Sequence, residues 1–130
     1  MTTIYHYLAR LEDTLLSRHE IEVQQLDSRR AESNEAGEFN ACVNFYDQSM
    51  LEATEKVKIE DGEIVKQDYS YHYQKSNGDL VFRYANAPHH PEIETFPHHK
   101  HVESDDNVIA SQPPDVSEVL VEIDEIIYPE

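Results

Sequence analysis

The spacing of apolar residues along the chain changes from a helical period to alternation and then back to a helical period. Near the start, apolar residues recur every three or four positions, which predicts an amphipathic helix over residues 3–17, capped by one of the first threonines. Asp115 with Glu118 three residues on is typical of a capping box, so a second helix is expected over residues 116–127. The apolar stripes are Ile4, Leu8, Leu11 and Leu15 in the first helix, and Val116, Val119, Leu120, Ile123 and Ile127 in the second.

Between the two predicted helices, apolar residues alternate with polar ones, as in strands that bury one face. A first strand begins at Ile21, and an antiparallel β-meander of four or five strands is expected, most of it across residues 37–86. Asp61-Gly62 and Asn77-Gly78 each indicate a hairpin within it. The alternating residues, strand by strand, are Phe39, Ala41, Val43 and Phe45; Leu51, Ala53, Val57 and Ile59; Val65, Tyr69, Tyr71 and Tyr73; and Leu80, Phe82 and Tyr84.

The segment between the meander and the second helix, residues 87–114, is rich in proline and histidine. Proline bars regular helix and favours extended backbone at the residue before it. An irregular segment of this length in a compact domain usually carries function or lacks order. The pattern therefore predicts one α+β domain over residues 1–130, with this His/Pro-rich loop as the carrier of its site. The five prolines are Pro88, Pro91, Pro97, Pro113 and Pro114.

Composition and charge narrow the class of protein. The chain has no run of about 18 apolar residues and no apolar signal core at its start, so we expect neither a membrane span nor secretion. The single Cys42 cannot form an internal disulfide, which fits a cytoplasmic protein. The formal charge of −17 is uneven, since residues 101–130 carry nine acidic and no basic side chains. It opposes tight, nonspecific binding of nucleic acid and indicates either a salty cytosol or a basic partner.

Five of the eight histidines lie in residues 88–101, PHHPEIETFPHHKH. Histidine acts as acid, base or metal ligand near neutral pH. Neighbouring side chains of extended chain point to opposite faces, so one histidine from His89–His90 and one from His98–His99 would serve a shared site, and His101 would join His99. No HExxH or CxxC zinc motif is present, but such a cluster suits a transition metal. The alternative is that these rings cap loop carbonyls and pack on the prolines.

Polar residues of the middle strands form a second face of the predicted sheet. Cations beside an imidazole suit acid–base chemistry on a phosphate, and an ordinary solvated face is the alternative. Glu55 falls on the apolar face and needs a partner there, for which Arg83 and Lys56 are candidates. The residues expected on the polar face are Lys56, Lys58, Lys66, Asp68, Ser70, His72 and Arg83.

Four segments in the second half of the chain resemble the TumE family of toxin-like proteins. They are Asp68–His72 (DYSYH), Phe82–Tyr84, Asn86–Glu92 (NAPHHPE) and Phe96–His101 (FPHHKH). The resemblance is strong over residues 50–102 and compatible with the whole chain. It implies the toxin of a prokaryotic type II toxin–antitoxin pair, with a helix-turn-helix antitoxin as partner and a ribonuclease or other translation-blocking activity. A helix followed by an antiparallel meander is also similar in architecture to barnase- and RelE-like ribonucleases.

Two hypotheses of function follow. In the first, an endoribonuclease without cofactor uses one histidine to take the 2′-hydroxyl proton, a second acid to protonate the leaving oxygen, and Arg83 or Lys100 to stabilise the phosphorane. In the second, a noncatalytic metal-binding or partner-binding module holds zinc or nickel on His90, His99 and His101. A homo-oligomer is compatible with both. The candidate catalytic residues are His72, Arg83, His89, His90, His99 and His101, the candidate substrate-binding residues are Lys56, Lys58 and Lys100, and the candidate supporting residues are Glu55, Asp68, Tyr71 and Asn86.

Both hypotheses require the two PHH segments to meet. We therefore expect the loop to fold back over the sheet, so that histidines of both segments approach one another and the face that carries residues 68–72. Ordering such a loop costs conformational entropy, which apolar anchors must offset. Ile93 and Phe96 are the candidate anchors, packed on the strand with the tyrosines 69, 71 and 73.

Overall fold

The computed structural model describes residues 3–129, and within them two helices and seven strands. The strands pair antiparallel in one sheet whose spatial order is the chain order. The predicted α+β class is therefore confirmed. The elements are helix α1 (Ile4–Leu16), strands β1 (Ile21–Arg30), β2 (Ala36–Phe45), β3 (Met50–Glu60), β4 (Glu63–Gln74), β5 (Leu80–Ala85), β6 (His99–Val102) and β7 (Val108–Ala110), and helix α2 (Val116–Ile127).

Both helices have the caps and buried stripes that the sequence predicts. Thr3 caps α1 by accepting a hydrogen bond from the backbone N–H of His6, and Asp115 and Glu118 form the capping box of α2. The guanidinium of Arg10 donates to the Asp115 carboxylate at 2.9 Å and so joins the two helices. No helix within residues 3–129 is long and apolar enough to cross a membrane. The buried helix residues include Ile4, Leu8, Leu11 and Leu15, and Val116, Val119, Leu120 and Ile123.

The two helices cover one face of the sheet, and the core lies between them and the strands. We call the other side the helix-free face. On the covered face, alternate residues of β2 to β5 are buried as the period-two pattern predicts. The hairpin predictions also hold, since Gly62 and Gly78 both have positive φ angles, of 80° and 93°. The buried strand residues of the core are Phe39, Ala41, Val43, Phe45, Leu51, Ala53, Val57, Tyr69, Tyr71, Tyr73 and Phe82.

The sheet has seven strands rather than four or five, and two of them lie inside the segment predicted to be irregular. β6 pairs with β5, and β7 pairs with β6. The buried residues of β6 are His99 and His101, so no aliphatic alternation marks this strand in the sequence. The loop between β5 and β6 is therefore confined to residues 86–98.

A β-bulge in β4 reverses the face of the residues that precede it. Lys56 pairs with Asp68 and Val57 pairs with Lys66, so Gln67 is an extra residue. Lys66 therefore faces the helices, although the sequence pattern predicted it beside Asp68 on the polar face. Val65, predicted to share a face with the tyrosines of β4, turns to the opposite side for the same reason.

Glu55 is buried between α1 and the sheet, with only 2% of its surface exposed. Its carboxylate accepts hydrogen bonds from the hydroxyls of Tyr7 and Tyr71, and the Lys66 ammonium lies 3.8 Å away. The predicted partners Arg83 and Lys56 were wrong, because both lie on the helix-free face. Burial and then the Glu55 charge raise the pKa of Tyr71, so this hydroxyl keeps its proton and donates.

Candidate functional site

Three imidazoles meet where the loop of residues 86–98 lies over β6 on the helix-free face. His99 and His101 come from β6, and His90 comes from the loop. Each ring contributes one nitrogen, and these three nitrogens all lie within 4.8 Å of one another. The ring centroids are 4.9 Å apart for His99 and His101, and 5.0 and 5.7 Å from that of His90. We call these three residues the histidine cluster.

Strand geometry selects which histidines join the cluster. In β6, His99 and His101 are two residues apart and share a face, whereas His98 and Lys100 point the other way. Of the adjacent pair on the loop, His90 contacts the cluster and His89 is exposed to solvent. The structure thus brings together one histidine from each adjacent pair with His101, the set that alternation predicts.

Backbone carbonyls fix two of the rings in one tautomer. The Nδ1 of His99 lies 2.8 Å from the carbonyl oxygen of Pro97, and the Nδ1 of His101 lies 3.0 Å from that of Asp105. A carbonyl oxygen only accepts, so each Nδ1 carries the proton and donates. The lone pair of each ring is therefore on Nε2, the nitrogen available for a proton or a metal ion.

The two strand histidines are shielded from water. His99 is 3% exposed and His101 is 5% exposed. Burial lowers the pKa of His101, and the Arg83 charge lowers it further, against the opposing effect of the hydrogen bond to Asp105. His101 is thus a neutral imidazole at neutral pH.

Arg83 places a positive charge beside the cluster. In the sheet register His72 pairs with Arg83 and Arg83 pairs with His101, so the three side chains form a row across β4, β5 and β6. The guanidinium of Arg83 donates to the Asp105 carboxylate at 2.7 Å. Asp105 therefore contacts both His101, through its backbone carbonyl, and Arg83, through its side chain. At the far end of the row, the Nε2 of His72 lies 2.9 Å from the side-chain oxygen Oε1 of Gln74.

Polar contacts and ring stacking hold the loop over the sheet. The ring of His98 stacks on Tyr69 with centroids 5.8 Å apart, and its Nδ1 lies 3.0 Å from the Tyr69 hydroxyl. The side chain of Asn86 accepts from the backbone N–H of Tyr69 and donates to the carbonyl of Gln67. The predicted anchor Phe96 is 43% exposed, so the prediction was wrong for this residue. The physical reason is that His98 occupies the apolar ring surface of β4.

Several predicted site residues lie away from the cluster. Lys100 points to the helix-covered side, where its ammonium binds the Glu122 carboxylate at 2.6 Å. Glu55 and Tyr71 also face the helices, so the sheet separates all three from the histidines. Alternation along β3, β4 and β6 places these three residues on the face opposite the histidines.

The remaining predicted residues do not belong to the histidine cluster. Lys56, Lys58 and Asp68 occupy the helix-free face, but Lys56 and Lys58 belong to β3, two strands from β5. Lys56 pairs with Asp68 in register, and Lys58 binds Glu60 at 2.8 Å. Asn86 positions the start of the loop. Only His90, His99, His101 and Arg83 of the predicted set therefore form the immediate site.

Sequence reasoning missed the groups that orient the cluster. The carbonyls of Pro97 and Asp105 carry no side-chain signal, and the Asp105 carboxylate is one of many acidic groups in its segment. Thr95 was missed too. Its hydroxyl donates to the carbonyl of His98 at 2.6 Å and accepts from the N–H of Ser111 at 2.9 Å.

A protein-family model described as Toxin TumE matches residues 8–127. The chain belongs to the TumE toxin family. The match contains every strand, helix α2 and the whole histidine cluster, so the resemblance found in the sequence is confirmed. Membership supports a toxin role for this TumE-family protein and, with it, an antitoxin as its partner. No curated protein and no solved structure matches the chain, so the likeness to barnase- and RelE-like ribonucleases has no structural match behind it.

Proposed function

We propose that this TumE-family protein is the endoribonuclease toxin of a type II toxin–antitoxin system, with the histidine cluster and Arg83 as its reactive centre. The observation that carries the proposal is the convergence of three imidazoles beside a guanidinium on the helix-free face. Cleavage of RNA needs a base for the 2′-hydroxyl proton and positive charge for the developing phosphorane. The cluster offers the first and Arg83 offers the second.

The proton acceptor in this proposal is an Nε2 lone pair of the cluster. As the 2′-oxygen attacks phosphorus, its proton passes to this lone pair, either directly or through a water bound there. The bond from phosphorus to the 5′-oxygen then breaks, and that oxygen takes a proton from a second acid or from water. The same three lone pairs are also a ligand set for a metal ion, and a nitrogen that binds an ion does not take a proton.

The helix-free face carries both cations and carboxylates, and Glu38, Glu52 and Asp68 are among the carboxylates. Helix α2, with its acidic residues, covers the opposite side of the sheet. Arg83, Lys56 and Lys58 lie on the same side as the cluster, and two of them are ion-paired, Arg83 with Asp105 and Lys58 with Glu60. Because they are few, binding should be weak and sensitive to salt. The acidic α2 side suits a basic partner, and we propose a helix-turn-helix antitoxin, met in the cytoplasm.

The test is cleavage of a single-stranded RNA of mixed sequence, beside a DNA of the same sequence. We expect the wild type to cut RNA and to leave DNA intact, because DNA lacks the 2′-hydroxyl. The double variant His90→Ala/His99→Ala should lose activity, and the exposed His19→Ala should keep it. Equal cleavage by the double variant and the wild type would contradict the proposed site. No cleavage by the wild type, with or without divalent ions, would contradict the function.

A further inference from the structure

We infer that the histidine cluster binds one divalent transition-metal ion through a nitrogen of each of His90, His99 and His101, with zinc as the best fit. The inference rests on the proposed function only for what the ion does there, since binding is measured without RNA. In this inference the imidazole lone pairs bind a metal ion, and they do not accept the 2′-hydroxyl proton themselves.

The spacing of the ligand nitrogens is close to what an ion needs. A tetrahedral zinc ion with bonds of about 2.0–2.1 Å brings its nitrogens to about 3.3 Å from one another. The three nitrogens already lie within 4.8 Å, so a small inward movement closes the site. His90 is on a loop and its side chain is 27% exposed, so it is the ligand with freedom to move.

His99 and His101 of β6 are already oriented as metal ligands. Each donates its Nδ1–H to a backbone carbonyl, and each has its Nε2 left over. Metal-bound histidines commonly donate their other nitrogen in this way, because the bond fixes the ring and makes the ligand more basic. Within residues 3–129, no hydrogen bond engages the Nε2 of His99 or His101.

The chemistry of the ligands selects the class of ion. Three imidazoles suit zinc, nickel, copper or iron, whereas magnesium and calcium prefer oxygen ligands. Of the carboxylates beside the cluster, that of Asp105 is occupied by Arg83 at 2.7 Å, and that of Glu92 lies 3.5 Å from the Nδ1 of His90. Three protein ligands leave the fourth tetrahedral position to water, which is the arrangement of catalytic zinc sites.

An ion at this position would strengthen the proposed reaction. Water bound to zinc loses its proton near neutral pH, and the resulting hydroxide takes the 2′-hydroxyl proton to become water again. The 2′-oxygen bonds to phosphorus, and the 5′-oxygen leaves with a proton from water. Arg83, one strand away from His101, then faces the phosphate oxygens.

Zinc binding to the purified chain, produced without a histidine tag and stripped with a chelator, tests the inference. We expect titration calorimetry and elemental analysis to show one zinc ion for each chain, and magnesium at the same concentration to give no signal. His90→Ala should weaken binding about a hundredfold or more, since loss of groups that merely orient ligands costs about 10–100-fold. His90 is on a loop, so this variant should keep its fold, which circular dichroism checks.

The matched control is His89→Ala, which removes the same side chain one position earlier from the same loop. It should bind zinc as the wild type does. Equal affinities of His89→Ala and His90→Ala, or a wild type that binds no zinc, would overturn the inference. Zinc binding without RNA cleavage would support the metal site and contradict the proposed function. RNA cleavage by a wild type that binds no zinc when the ion is supplied would keep the proposed function and overturn the metal site.

Discussion

At the scale of single residues, Glu55 shows how the fold tolerates a carboxylate inside the core. Its oxygens accept from Tyr7 and Tyr71, and Lys66 brings a positive charge to 3.8 Å. A buried charge without such partners would destabilise the fold by several kcal/mol. The network also joins α1 to β3 and β4, so it is part of the folded core and not of the site.

Loss of one hydroxyl from this network should have a large effect. We expect Tyr71→Phe to lower the free energy of unfolding by about 1.5–3 kcal/mol, because it removes a hydrogen bond to a charged group. Tyr73→Phe is the matched control, since its hydroxyl donates to the neutral Ser49 at 2.8 Å, and about 0.5–1.5 kcal/mol is expected. Urea unfolding measures both values, and equal effects would show that Glu55 is not the acceptor that matters.

At the scale of elements, Asp115 has two roles in holding α2. Burial alone would raise its pKa, but hydrogen bonds from Arg10 and Ser117 outweigh burial and hold the pKa of this carboxyl well below its usual range. The ionised form is therefore favoured in the folded state. Its stabilisation is present above the pKa of the unfolded chain, about 4, and is lost as the pH falls from there through the folded pKa.

Two substitutions separate the cap from the charge. Asp115→Ala removes both the capping side chain and its charge, and it should lower the free energy of unfolding at pH 7 by about 2 kcal/mol, the upper end of the range for loss of an N-cap. Asp115→Asn keeps a capping side chain and loses only the charge, so its deficit should be smaller and should shrink in acid. Denaturation at pH 7 and below pH 3 measures these differences. A deficit of Asp115→Asn that grows in acid would contradict the assignment.

The loop between β5 and β6 depends on His98 for its position. Tyr69→Phe keeps the ring stacking but removes the hydroxyl at 3.0 Å from the His98 Nδ1. We expect backbone amides of residues 89–98 to exchange with deuterium faster in this variant, and those of β2 and β3 to remain unchanged. Uniform acceleration across the sheet would indicate global destabilisation and contradict a local role for this contact.

Local patterns explain why some elements were predictable and others were not. The helices and the Asp61-Gly62 hairpin follow from caps, period and turn residues that lie next to one another in the sequence. β6 was missed because its buried residues are histidines, shielded by a loop that joins them only in the folded state. The extra residue Gln67 leaves no mark in the sequence, so the face of Lys66 was not predictable. Alternation alone did identify His99 and His101 as one pair.

At the scale of the whole molecule, the sheet divides the chain into two sides with different tasks. The covered side holds the core, the Glu55 network and the acidic α2, and the helix-free face holds the histidine cluster and Arg83. Substitutions in the cluster should therefore change activity more than folding, since these residues lie outside the core. This separation makes a test in living cells interpretable.

Expression of the chain in a bacterial host should slow growth, as the toxin role predicts. The variant His90→Ala/His99→Ala should restore growth, because two of the three nitrogens that converge within 4.8 Å are removed. The control His19→Ala/His89→Ala loses the same number of imidazoles from exposed positions and should stay toxic. Growth curves with immunoblots separate loss of activity from loss of protein.

Growth arrest that is unchanged in the cluster variant, at equal protein level, would exclude these histidines from the mechanism. A wild type without any effect on growth would contradict a toxic activity of this chain.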